Sequence, residues 1–213
     1  MAARVKIEGE ALDRLAELGL SVEIVEKALR RAEAEAATCT AFDPPIMAGF
    51  MRYGRTIRFL REDLVPVGWD FDNPRNFCRT IHPTRKFAVV ATSGDEGTGN
   101  PKLTPTTKYP KGYATVQAVE SNGQLALEFP GFEIEDEAGD IEQLSTWFLL
   151  YRVTDEEIRA EISLPNGMAG GNITDWLERI ILPAFPREDD ALAADAEPDD
   201  DDQGGYVVEV NRR

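Results

Sequence analysis

Residues 93–112 read SGDEGTGNPKLTPTTKYPKG and follow an apolar run, FAVVAT, with the composition of a buried strand. Asp95 and Glu96 stand where that strand ends, a position from which carboxylates act as general acid and base or as magnesium ligands. Asp70 and Asp72 of WDFDN are further carboxylates for such a set. The same stretch carries Lys102, Lys108 and Lys111, which would make it an anion-gripping arm. A third reading is a surface loop with glycines at positive φ and solvated charges. All three stay open at this point. Gly94 and Gly99 have the spacing of a phosphate-binding P-loop, but Asn100 and Pro101 occupy the places of its Lys and Ser/Thr. Asp95 and Glu96 would also repel a phosphate. A nuclease core of the D…E-x-K type lacks its lysine in both GDEG and IRAEIS.

A second group with chemical capacity is Arg52, Arg55, Arg58 and Arg61, one every three residues. Steps of three drift by about 60° each around a helix of 3.6 residues per turn, so the four form a slanting stripe. Arginine's planar fork suits phosphates and carboxylates. The plainer reading is a solvated helix face with Glu62 and Asp63 as partners. Arg75, Arg79, Arg85 and Lys86 extend the same basic segment.

Nucleophilic catalysis finds little support. His82 is the single histidine, and no G-x-S-x-G accompanies it. Cys78 and His82 have zinc-ligand spacing only on a helix, whereas NFCRTIHPTRKFAVV reads as two strands around a turn. Four strand residues span about 13 Å, and zinc bonds are about 2 Å long. Cys39 and Cys78 read as two thiols. Neither a metal nor a cofactor is expected.

Charge is unevenly divided along the 213 residues, whose net charge is −16. Residues 1–51 carry net −3, residues 52–111 net +5 and residues 112–213 net −18. An acidic chain with a positive island is suited to an anionic partner in its middle: nucleic acid or an acidic protein. No run of eighteen apolar residues exists, so no membrane partner is expected. MAARVKIEGEALDRL has charges where a signal peptide has an apolar stretch, which points to the cytoplasm of a prokaryote-like cell.

The elements that must position these residues follow from periodicity. EALDRLAELG predicts one helix, stopped by Gly19, and SVEIVEKALRRAEAEAAT a second, capped by Ser21. With LGLS between them they resemble a helix-turn-helix, but Glu23 and Glu26 occupy the turn where a recognition helix is basic, which favours a plain hairpin. A third helix is predicted over 46–64, between Pro44–Pro45 and Pro66. Strands are predicted at NFCRTI and RKFAVVAT, then a short helix YATVQAVESN and a strand GQLALEF. TWFLLYRV and IRAEISLP form a hairpin across TDEE, and NITDWLERIILP reads as a last helix capped by Asn172 or Thr174. The tail REDDALAADAEPDDDDQGG is too polar to offset its ordering entropy and reads as disordered, with YVVEVNRR regaining strand propensity.

The expected fold is α+β: an N-terminal helical hairpin and a third helix on a mainly antiparallel sheet. The expected limits are one domain over 1–186 (1–64 mainly helical, 65–186 sheet with short helices), an acidic linker over 187–204 and a terminal segment over 205–213. The segments VVATSGDEGTGNP, TKYPKG, RAEISLPNGMAGG and WLERIILP resemble a family of uncharacterised bacterial proteins over roughly residues 10–186. That resemblance implies no activity. The function expected is a non-enzymatic binding or accessory protein of a bacterial cell or mobile element. The alternatives are a small-substrate enzyme with its site at the 93–112 loop, and a nucleic-acid mimic acting through the acidic tail.

Overall fold

The computed structural model describes residues 3–127 and 144–187. The order is β1 (Arg4–Lys6), α1 (Glu8–Glu17), α2 (Val22–Ala36), α3 (Met47–Leu64), β2 (Asp70–Asp72), β3 (Arg79–Ile81), β4 (Phe87–Ser93), α4 (Tyr113–Leu127), β5 (Ser145–Val153), β6 (Glu157–Ala169), β7 (Asn172–Ile181) and β8 (Phe185–Pro186). The strands form one mixed sheet in the order β1-β7-β6-β5-β4-β3-β2. Pairing is antiparallel except for β1 with β7 and β4 with β5, and β8 lies along the start of β6. The fold is α+β, as expected. The acidic tail and YVVEVNRR lie outside the described residues.

The two sheet faces have different covers. Val89, Ala91, Trp147, Leu149, Ala160 and Ile162 point to α1, α2 and α3, whose Leu15, Val25, Leu29 and Leu60 complete the larger core. Val90, Phe148, Leu150, Ile173 and Trp176 point the other way, towards Val119 of α4. β5 is apolar on both faces because both are buried. Ser21 caps α2 through an Oγ that accepts from Ile24 N at 3.3 Å. Val25, Ala28, Leu29 and Ala32 of α2 are buried in the larger core, and α2 packs chiefly against α3 and not against α1, so the expected α1–α2 hairpin is replaced by an α2–α3 pair.

Three local readings are corrected by tertiary partners. NITDWLERIILP is strand β7, not a helix. Its apolar residues Ile173, Trp176 and Ile180 mimic helical spacing, but buried charges on opposite faces fill the strand's remaining inward positions. Glu178 accepts from Arg14 Nε of α1 at 2.7 Å, and Arg179 pairs with Glu161 of β6. Charged residues with partners across the sheet break the hydrophobic alternation without breaking the strand. Register shifts between Leu164 and Met168 of the facing strand blur it further.

The second correction concerns α4, which runs to Leu127 and takes in residues 123–127 of the expected strand GQLALEF. Asn122, which resembles a stop signal, is buried within that helix. Its Oδ1 accepts from Thr146 N at 2.7 Å and its Nδ2 donates to the Thr146 carbonyl at 2.9 Å, so the amide substitutes for a neighbouring strand beside β5. Third, β1 lies within a stretch that reads as helical. Three residues suffice because β7 supplies a parallel partner.

The free edge at β2 is blunted. Phe71 N, which faces that edge, donates to Asp70 Oδ1 at 2.8 Å, which satisfies a backbone donor that would otherwise recruit another strand. At the other end of the chain path, Arg187 belongs with the body. It donates through N to the Glu156 carbonyl at 2.8 Å and through Nη1 to the Thr154 carbonyl at 3.0 Å, and it pairs with Glu33 at 3.2 Å.

Asn122→Ala leaves a buried Thr146 N–H without its acceptor, and unfolding in urea should show a loss of about 1–3 kcal/mol. An unchanged midpoint would mean that the amide does not tie α4 to β5.

Candidate functional site

β4 and β5 are parallel neighbours, so the chain must return from one end of the sheet to the other between them, and a hairpin cannot do this. Residues 94–112 begin that return by folding onto the α4 face of the sheet. Gly94 N donates to the Tyr151 carbonyl at 2.9 Å, Thr107 N to the Ile173 carbonyl at 3.3 Å and Lys111 N to the Gly171 carbonyl at 2.7 Å. Trp176 Nε1 donates to the Pro105 carbonyl at 2.8 Å in the buried interior. With its amide nitrogen towards the loop, the orientation its carbonyl neighbours require, Asn172 donates to Thr107 and Tyr109, each at 3.0 Å. The long segment is a hydrogen-bonded shell, not an open excursion.

Its centre is a buried ion pair. Arg179 of β7 donates through Nε to Glu161 Oε1 at 3.0 Å and through Nη2 to Oε2 at 2.6 Å, and the two side chains are 3% and 0% exposed. The guanidinium also reaches the loop, donating to the carbonyls of Leu103 at 2.7 Å and Asn100 at 3.2 Å. Glu161 accepts from Ser163 Oγ at 2.7 Å and from Gly99 N at 2.9 Å. In a P-loop such a backbone N–H would face phosphate. Here the anion is the protein's own carboxylate.

The glycines serve the same closure. A Cβ on Gly97 would come within 2.9 Å of Pro105 backbone atoms, and one on Gly99, at φ +71°, within 2.9 Å of Arg159 Cβ. The backbone therefore approaches itself and β6 at the two places where a ligand was the alternative.

Asp95 takes part in the shell. Oδ1 accepts from Gly97 N at 3.0 Å, an Asx turn, and Oδ2 accepts from Thr106 Oγ1 at 2.8 Å. Glu96 is exposed and lies 3.6 Å from Arg152. Asp72 accepts from Arg79 Nε at 2.8 Å and Asp70 lies 3.2 Å from Arg85, both on the edge strand β2. Those two carboxylates and Asp95 have different partners on different elements, so the structure does not gather them into one acid/base set. His82 stacks on Phe87 at 4.6 Å and meets Trp69 edge-on at 4.9 Å, and burial pushes its pKa down. Its Nδ1 lies 2.9 Å from Thr84 Oγ1, with Cys78 Sγ directed to the Asn76 carbonyl. Cys39 and Cys78 are both free thiols.

The arginines of α3 have partners inside the molecule. Arg52 pairs with Glu33 and Arg55 with Glu35, both on α2, and Arg58 pairs with Glu62 at 2.7 Å. Arg61 donates to Asn73 Oδ1 at 2.9 Å and to the Arg79 carbonyl at 3.0 Å, under the Phe71 ring, with burial lowering its pKa. These bonds join α3 to α2 and to the β2–β3 edge. They account for the three-residue spacing without an external anion.

Of the loop lysines, Lys111 turns inward. Its Nζ donates to Thr92 Oγ1 at 2.6 Å, and burial pushes its pKa down. Lys102 and Lys108 remain exposed, and among the described residues neither has a carboxylate partner. Lys108 Nζ lies 5.5 Å from the Tyr109 ring centre, and the exposed Arg75 guanidinium 5.9 Å from that of Tyr113. Both cations are within cation–π range. Sequence reading passed over Tyr109 and Tyr113; their alternation with Lys108 and Lys111 in KYPKGY was the available signal. The chain matches no protein-family model, no curated protein and no solved structure.

Removing one partner of the central pair, by Glu161→Ala or Arg179→Ala, should cost about 3–5 kcal/mol because an unpaired buried charge remains. Amide exchange across 94–107 should accelerate in the same variants. Asp95→Asn keeps an Oδ1 acceptor for Gly97 N, so a loss under about 1 kcal/mol is expected. A larger loss in urea unfolding would show that the negative charge itself is needed there.

Proposed function

We propose that this protein is a non-enzymatic binding or accessory protein whose anionic partner docks on the outer surface of the 94–112 loop, beside the start of α4. The observation that carries the reading is a division of labour among the cations. Arg52, Arg55, Arg58, Arg61, Lys111 and Arg179 have partners within the fold, whereas Lys102, Lys108 and Arg75 are exposed with no carboxylate partner among the described residues. Among the described residues, the expected basic middle thus narrows to these three side chains and Lys86, which is exposed in the turn before β4.

The charge distribution supports the same reading. Residues 128–143 carry seven acidic side chains and no basic one, and residues 188–213 carry ten acidic and two basic. The rest of the chain therefore carries net −1, so most of the acidity lies in two segments outside the described body. Local positive potential survives on a body that is close to neutral. The acidic tail, 26 residues long after Arg187, is a competitor for that surface. The enzyme alternative is less favoured because Asp95 holds the loop together and Glu96 faces solvent beside Arg152.

Labelled heparin provides a probe of anion binding that carries no bases. Reversing the three charges together (Arg75→Glu, Lys102→Glu, Lys108→Glu) should weaken its binding at low salt by at least about tenfold, with salt dependence reduced. Ending the chain after Arg187 should tighten it. Binding that is absent in the intact chain, or indifferent to the triple change, would overturn the proposal.

A further inference from the structure

The geometry points to single-stranded nucleic acid as the anionic partner, with bases stacking on Tyr109 and Tyr113 and phosphates meeting Lys108 and Arg75. This rests on the binding surface proposed above and adds the identity of what binds there. Tyr109 and Tyr113 are 59% and 65% exposed, in contrast to Tyr151, which is buried. Each exposed ring has a cation within 6 Å of its centre. Isolated exposed aromatics are ordinary. Two such rings, four residues apart and each beside a cation, make a repeated unit.

The span between the rings fits successive nucleotides. Four residues extend to at most about 14 Å, within reach of neighbouring bases that are splayed from one another. The backbone between them is fixed at several points. Lys108 N donates to the Ser93 carbonyl at 3.0 Å, and the Tyr109 carbonyl accepts from the Asn172 amide. Lys111 is held through N by Gly171 and through Nζ by Thr92. Gln117 Nε2 donates to Tyr113 Oη at 3.1 Å, which orients that ring from the next turn of α4. Arg75 and Asn76 both have positive φ, at 50° and 63°, a costly conformation for residues other than glycine, and it sets Arg75 beside Tyr113. Rings carried on a backbone fixed before binding lose less entropy on stacking.

Other anions fit less well. An acidic peptide would satisfy Lys108 and Arg75 but bring no flat group for either tyrosine. A nucleic-acid duplex keeps its base faces stacked inside. Single strands offer both a π-face and a phosphate per nucleotide, and stacking on an aromatic platform is tolerant of sequence.

The test uses the full chain and three labelled probes: an oligothymidine single strand, the same strand in a duplex, and inorganic polyphosphate of similar charge. The single strand should bind most tightly. Tyr109→Ala and Tyr113→Ala should each weaken it by about 5- to 100-fold while leaving polyphosphate affinity unchanged. Tyr109→Trp should restore binding and show fluorescence quenching by the stacked base. Thermal unfolding of each variant checks that these exposed substitutions leave the fold intact. Equal affinity for all three probes, or tyrosine variants with wild-type affinity for the strand, would overturn the stacking proposal and leave general anion binding standing. No binding of any probe at low salt would overturn both.

Discussion

A charge pair removed from water holds the sheet and the long loop to one another. Arg179 and Glu161 face each other across β7 and β6 under residues 97–103, where neither has solvent to fall back on. Such a pair is tolerable only if its remaining donors and acceptors are also satisfied. The loop supplies them. Its carbonyls at 100 and 103 accept from the guanidinium, and its Gly99 N–H donates to the carboxylate. Dependence runs both ways, because those loop groups make their hydrogen bonds to the pair.

Sheet topology makes that arrangement necessary. The parallel pairing of β4 and β5 requires a crossover on one face, and three helices already occupy the other. The crossover must cover apolar residues such as Phe148 and Trp176, yet its first part is a loop with three prolines, unable to form a helix. Loop backbone lying on a sheet needs polar partners from that sheet. Glu161, Arg179, Asn172 and the Trp176 indole provide them. The same requirement explains why a strand at the core of the sheet carries charges at all.

Inward use of these groups determines what faces out. Asp95, Lys111 and the loop's close-packed glycines are committed to internal contacts, as are the α3 arginines through α2 and the β2 edge. Lys102, Lys108 and two tyrosines remain on the outside of a backbone that the interior has made rigid, with Arg75 beside them. Binding residues on a loop supported in this way combine access with a fixed geometry.

Local chemistry decided the features that were legible in the residues. The Ser21 cap, the proline-bounded α3, the doubly apolar β5 and the α+β class all follow from interactions within a few residues or from strong periodicity. The exceptional character of residues 93–112 was legible too, because compact domains rarely follow a core strand with so long a Gly- and Pro-rich stretch. Long-range partners decided the rest. β7 resembles a helix until Glu178 and Arg179 find Arg14 and Glu161 on opposite faces, and α4 reads as ending at Asn122 until the amide meets Thr146. Charge type and spacing are properties of the chain, so the sequence alone marked Asp95, Lys111 and the arginines as capable of chemistry. Whether each charge is satisfied inside or left for a partner depends on which carboxylate or carbonyl folding brings within about 3 Å, and only the tertiary structure decides that.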